Sequence, residues 1–293
     1  MHEPRYSVAT FMTPHNTILE DIEQVARVGA DGIGLWEAKF GSTSDGELAD
    51  ALATAGLRAS FCLPRVWTIL PGPVDAPAER DLQRRADAIC ASIARLAALD
   101  PVGIVVGPGS SGDPARPAGP LEAVAEKLVL IADTAAEHGQ RVAFEILARR
   151  RGCPIRSIDE LAALVDATGR RNVDLFLDVW HSWSDPGVHD QLARHAGRVA
   201  CLQVNDVRYE ERSWADRALP GEGRAVCARF VAALVRGGFD GWFELEVLSD
   251  DGTYGTPLPD SLWRLPHEEL LRRGRAAFER VWREAASLAG PQH

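Results

Sequence analysis

Short apolar runs rich in β-branched and aromatic residues alternate along the chain with longer segments whose apolar residues recur every three or four positions. The short runs fall at 7–12, 32–36, 58–63, 103–107, 141–146, 172–178, 198–205 and 242–247 and predict strands. Between them, Leu82, Ala86, Ile89, Ile93 and Leu96 form one helical stripe, Leu121, Val124, Leu128 and Ile131 a second, and Leu271, Gly274, Phe278, Val281, Trp282 and Ala285 a third. Eight strand–helix units in one series predict an α/β chain folded as a (β/α)8 TIM barrel, one domain over 1–293. A doubly wound open sheet is the alternative, but it calls for a glycine-rich turn after the first strand, and Thr13-Pro14-His15-Asn16 is not one.

Two connections exceed what a barrel needs, 206–223 after the seventh predicted strand and 249–266 after the eighth. Both belong to the C-terminal face, where barrels carry their active sites, so they are expected to cover or contact a substrate.

Four of the strand patterns end on a polar residue: Glu145 in VAFEIL, Asp178 in DLFLDVWH, Gln203 in CLQVND and Glu246 in FELEVL. Side-chain alternation puts Glu145 on the face of Ala143, Asp178 on that of Asp174 and Phe176, Gln203 on that of Cys201 and Asn205, and Glu246 on that of Glu244. Phe144, Leu177, Leu202 and Leu245 then face the helices. With the polar face turned inward, three carboxylates and an amide meet at one end of the barrel, and that much buried negative charge calls for a cation. On facing alone, Glu244 competes with Glu246 for the last place.

Composition narrows the chemistry. A formal charge of -10 opposes a phosphate backbone, so no nucleic-acid partner is expected. The five cysteines are scattered and form no CxxC pair, which suits reduced, buried thiols. Neither an apolar leader nor a stretch of membrane-spanning length is visible, so a cytoplasmic enzyme without a membrane partner is expected. The lysines are Lys39 and Lys127, neither within a predicted strand, which disfavours a Schiff-base mechanism. Trp36, Trp67, Trp180, Trp183 and Trp214 fall near strand ends or in loops of the C-terminal face, where they can stack on a ring or simply fill space. PGEGR in the seventh loop is a short signal for a phosphate cradle.

The blocks GADGIGLWEAKF, FEIL, LDVWHSW, LQVNDVR, RSWADRALPGEG and GGFDGWFELEVLSDDGTYG together resemble the xylose-isomerase-like sugar phosphate isomerase/epimerase superfamily over most of the chain. That superfamily includes ketose 3-epimerases, hydroxypyruvate isomerase, inosose dehydratase and 3-dehydroshikimate dehydratase. The resemblance implies one divalent metal ion, held by Glu145, Asp178, Gln203 and Glu246, and it favours Glu246 over Glu244. It also implies that His181, Arg217 and Glu37 contact substrate. Gln203 departs from the histidine many epimerases have there; some dehydratase-like members carry glutamine.

An oxygen-rich ligand set favours Mn(II) or Mg(II). The expected substrate is a small polyhydroxy-carbonyl compound, with Glu145 and Glu246 moving protons through an enediolate in an isomerase or epimerase. Loss of a β-hydroxyl from the same intermediate gives the alternative, a dehydratase (lyase) of a keto-cyclitol or 3-dehydroshikimate-like compound. Remoter readings are an abasic-site endonuclease, for which the strand-end histidines of a multi-zinc centre are lacking, and a non-catalytic barrel subunit. Self-association as a homo-oligomer is left open.

Overall fold

The computed structural model describes residues 3–72, 79–111, 113–116 and 119–290. Eight parallel strands close into a barrel in the order β1-β10-β7-β6-β5-β4-β3-β2. They are β1 (Arg5–Ala9), β2 (Gly32–Trp36), β3 (Arg58–Leu63), β4 (Gly103–Val106), β5 (Val142–Glu145), β6 (Val173–Asp178), β7 (Val199–Val204) and β10 (Trp242–Leu245). Two-residue strands β8 (Asp206–Val207) and β9 (Arg217–Ala218) pair as an antiparallel ladder outside the barrel. The helices are α1 (Ile18–Arg27), α2 (Asp45–Ala55), α3 (Leu82–Leu96), α4 (Leu121–Glu137), α5 (Ile158–Ala167), α6 (Val179–Ser182), α7 (Val188–His195), α8 (Cys227–Arg236) and α9 (His267–Ala289). Among the described residues no helix is long and apolar enough to cross a membrane.

The sequence explains the helix starts. Thr17 with Glu20, and Ser44 with Glu47, close capping boxes that satisfy the first amides of α1 and α2. The three stripes predicted from spacing lie on α3, α4 and α9, and their central residues are buried. At Gly274 a Cβ would stand 2.3 Å from Leu245 Cδ2, so the missing side chain lets α9 lie directly on β10.

Strands β2 and β3 coincide with the predicted runs, whereas the first was expected at 7–12 and ends at Ala9. Thr10–Met12 coil into a 3-10 turn because side chains take over the ladder: Thr10 Oγ1 accepts the Trp36 amide at 2.9 Å, and Lys39 Nζ donates to the Thr10 and Thr13 carbonyls. Lys39 also forms a buried ion pair with Asp21, so its charge serves the fold.

Two apolar cores are separated by the strand alternation. Phe61, Val105, Ala143, Phe176, Cys201 and Trp242 plug the barrel interior, while Phe144, Leu177, Leu202 and Leu245 join the large cluster beneath the helices. The predicted inward face is therefore correct: Glu145, Asp178 and Gln203 each sit two residues beyond a plug residue. Pairing of Asp178 with Gln203, Gln203 with Glu244, and Glu244 with Ser7 sets one polar row above the plug.

Candidate active site

Asp178 ends β6 and is fully buried. Its Oδ1 accepts the Trp180 amide at 2.7 Å, capping α6, and the Asn205 side-chain amide at 2.8 Å. Its Oδ2 takes Arg217 Nη1 at 2.7 Å, and the same Nη1 reaches Glu246 Oε2 at 2.6 Å. Arg217, brought in by β9, thus bridges two of the predicted metal ligands instead of projecting only toward substrate.

Glu145 ends β5, is buried, and accepts no hydrogen bond among the described residues; its nearest basic atom is His181 Nε2 at 3.6 Å. Burial, reinforced by the Glu246 and Asp178 charges, pushes its carboxyl well above the ordinary range. Burial also raises Glu246, against the opposing pull of Arg217. For Asp178 burial acts upward too, but Arg217, His181, Asn205 and the Trp180 amide together leave it below the usual carboxylate value.

Gln203 donates Nε2 to Glu244 Oε1 at 3.2 Å, which leaves its buried Oε1 without a partner. Glu244 lies deeper than Glu246 and also receives the hydroxyls of Ser7 and Ser60 at 3.3 and 3.2 Å. Burial pushes Glu244 up to about 8, so it is mostly protonated at neutral pH. Gly34 makes the room: a Cβ there would stand 2.4 Å from Glu244 Oε2.

His181 accepts the Ala148 amide through Nδ1 at 3.0 Å. That lone pair is occupied, so the neutral ring carries its proton on Nε2, the atom near Glu145 and Asp178. Burial lowers its pKa to about 3 and keeps it neutral. It is a donor, available to a substrate oxygen and poorly suited to ligate a metal through Nε2.

A cation fits this donor set. Carboxylate oxygens of Glu145 and Asp178 lie within 4.8 Å of each other, close enough to share one ion, with the His181 ring beside them as a donor. With Glu145, Asp178 and Glu246 ionised, the single guanidinium of Arg217 leaves two negative charges uncompensated, and beside them the buried Gln203 Oε1 and Asn205 Oδ1 are acceptors without donors among the described residues.

Glu145, His181, Gln203, Arg217, Glu244 and Glu246 all line one cavity that opens to solvent, with about 970 Å³ of space free of atoms when the solvent at its mouth is included. The rest of its wall includes Phe11, Leu63, Leu248 and the tryptophans Trp36, Trp67, Trp180 and Trp214. Trp183 is not part of the wall and packs under the Arg224 guanidinium.

Three sequence expectations are corrected. Glu37 does not reach the cavity: its carboxylate accepts the Arg65 amide at 2.8 Å and the Ser92 hydroxyl at 2.7 Å and pairs with Arg95, tying β2 to α3. The PGEGR loop holds no phosphate cradle, because the amides of Gly221, Ala225 and Cys227 converge on the buried Asp206 carboxylate. The cysteines are free thiols as expected, but Cys90 is only partly buried. Sequence reasoning also missed Arg150, which stacks on Trp180 and donates to the Trp180 and His181 carbonyls; the run Arg149-Arg150-Arg151 was its visible sign.

Fold and site together define a (β/α)8 barrel with a buried acidic cluster, suited to a cation, at the C-terminal ends of its strands. Residues 22–285 match the sequence profile of the xylose isomerase-like TIM barrel family, and the chain belongs to that family. No curated protein matches its sequence. Among solved structures it is similar to an L-ribulose 3-epimerase (20% identity, 99% of each chain, TM-score 0.77). It is also similar to the IOLI protein with a bound zinc atom (17% identity, 97% of this chain and 99% of that one, TM-score 0.79). A fusion of a xylose isomerase-like TIM barrel with 4-hydroxyphenylpyruvate dioxygenase matches 99% of this chain at 20% identity and TM-score 0.79, and the chain spans 45% of its length.

Proposed function

We propose that the protein is a divalent-metal-dependent isomerase or epimerase of a polyhydroxy-ketone, working through an enediolate. The observation that carries the reading is a buried cluster of three carboxylates in which Asp178 and Glu246 share the Arg217 guanidinium, while Glu145, which lines the cavity with Glu246, and the buried Gln203 Oε1 have no donor among the described residues.

Glu145, Asp178, Gln203 and Glu246 would hold the ion, and their oxygen donors favour Mn(II) or Mg(II) over Zn(II). When bound, the ion draws charge from the substrate carbonyl and so acidifies the neighbouring C–H. Glu145 accepts that proton on a carboxylate oxygen, its affinity for it raised by burial. Glu246, also on the cavity wall, exchanges a proton at the other reacting position. His181 Nε2–H donates to a substrate oxygen as negative charge develops there, and Arg217 stabilises the same charge through its guanidinium. Trp36, Trp67 and Trp214 exclude water from the site.

The test is incubation of manganese-loaded and chelator-stripped protein with keto-sugars and keto-cyclitols in deuterated water. Deuterium uptake into the substrate without loss of water, in the loaded protein alone, is the expected result. Loss of water moves the assignment to a dehydratase; absence of both contradicts it.

A further inference from the structure

The run Arg149-Arg150-Arg151 divides its three charges among different surroundings. Arg149 is exposed. Arg150 is committed: its guanidinium lies 4.1 Å from the centre of the Trp180 ring, bonds two backbone carbonyls and pairs with Glu211 at 3.3 Å. Arg151 is partly buried, lines the cavity, and has no hydrogen-bond or ion-pair partner for its guanidinium among the described residues.

Its backbone, by contrast, is clamped. The Arg151 amide donates to Ala148 O at 2.9 Å, and its carbonyl accepts the Ser110 hydroxyl. Gly152, at φ +82°, turns the chain immediately afterwards and sits so close to Ser111 and Asp113 that a side chain there would collide with both. A fixed main chain therefore presents a flexible, permanently charged, unpaired side chain to a cavity whose other basic wall residues, His181 and Arg217, are tied to the acidic cluster. Its charge also reaches His181, where it helps to hold the ring neutral.

A cationic side chain with a fixed base and no protein partner is suited to receive an anion from the ligand. The acidic cluster around Glu145 and Glu246 disfavours an anion elsewhere on the wall, so such a group has one favourable end of the cavity, beside Ser110 and Gly72. We propose that Arg151 is an anion subsite, and that the substrate carries a carboxylate or phosphate in addition to its hydroxy-ketone. This rests on the reading of the cavity as the substrate site.

Three probes alike at carbons one to five, D-fructose, D-fructuronate and D-fructose 6-phosphate, are titrated calorimetrically into metal-free and manganese-loaded protein. At least one anionic probe should bind about tenfold or more tightly than D-fructose. Which one gains tells carboxylate from phosphate. Arg151→Gln should abolish the preference while leaving D-fructose affinity and melting temperature unchanged, and Arg151→Lys should keep part of it. Equal affinities, no binding of any probe, or equal loss for all three in Arg151→Gln overturns the proposal. An anion preference without deuterium exchange removes the proposed reaction and leaves the subsite; exchange without the preference does the reverse.

Discussion

From β5 to β10 the barrel mouth carries Glu145, Asp178, Gln203 and Glu246, whereas from β1 to β3 it carries Phe11, Trp36, Leu63 and Trp67. The two halves are stabilised in different ways. Phe11 and Trp36 meet edge to face at 4.6 Å, an arrangement favourable as it stands. The acidic half keeps carboxylates in a buried site with one shared guanidinium, and burial of such charge is costly without further compensation. The contrast separates a surface that shapes a ligand from one that needs a cation and performs chemistry.

The sharpest way to break that division is to remove charge without removing volume. Glu145→Gln and Glu246→Gln, assayed at saturating manganese, should each lose activity by about a hundredfold to ten-thousandfold, the range general-base catalysis supplies. If either stays near wild type, the acid–base assignment on that side is wrong.

On the aromatic side the effect should be smaller and of another kind. Trp36→Ala removes a stacking face worth about 1 kcal/mol, so KM should rise up to roughly tenfold with little change in kcat or manganese affinity. A collapse of kcat with KM unchanged would place chemistry on the wrong half.

Glu244 gives the smallest effect, and a signed one. Its folded-state pKa, about 8, lies above the ordinary value, so the stability it contributes is present below the unfolded pKa and lost as pH rises through about 8. Between about pH 5 and pH 9 metal-free wild type should therefore lose a few degrees more in Tm than Glu244→Gln, whose activity at neutral pH stays within about tenfold of wild type. Equal Tm profiles would show that Glu244 titrates normally.

Much of this was legible in the sequence because alternation and helical spacing report which face a residue occupies. The interior plug of Ala143, Phe176 and Cys201, and the polar row above it, follow directly from period two. Spacing does not report which polar groups a residue meets across the fold. Glu37 resembles a site residue by its place at the end of β2, but Ser92 and Arg95 on α3 claim its carboxylate. The glycines and amides of PGEGR look open to phosphate until Asp206, fifteen residues before Gly221, folds back among them. Arg217 stands in a loop, and it is the pairing of β8 with β9, together with the bond from its amide to Leu248 O, that brings it between Asp178 and Glu246.

The central claim is that the acidic half holds a divalent metal, and a manganese titration followed by electron paramagnetic resonance tests it most directly. Wild type should bind one Mn(II) per chain; Glu145→Ala and Asp178→Ala should weaken that binding at least about tenfold, while His181→Ala keeps it because its Nε2 is a donor. Binding by wild type no tighter than by Asp178→Ala would contradict the account.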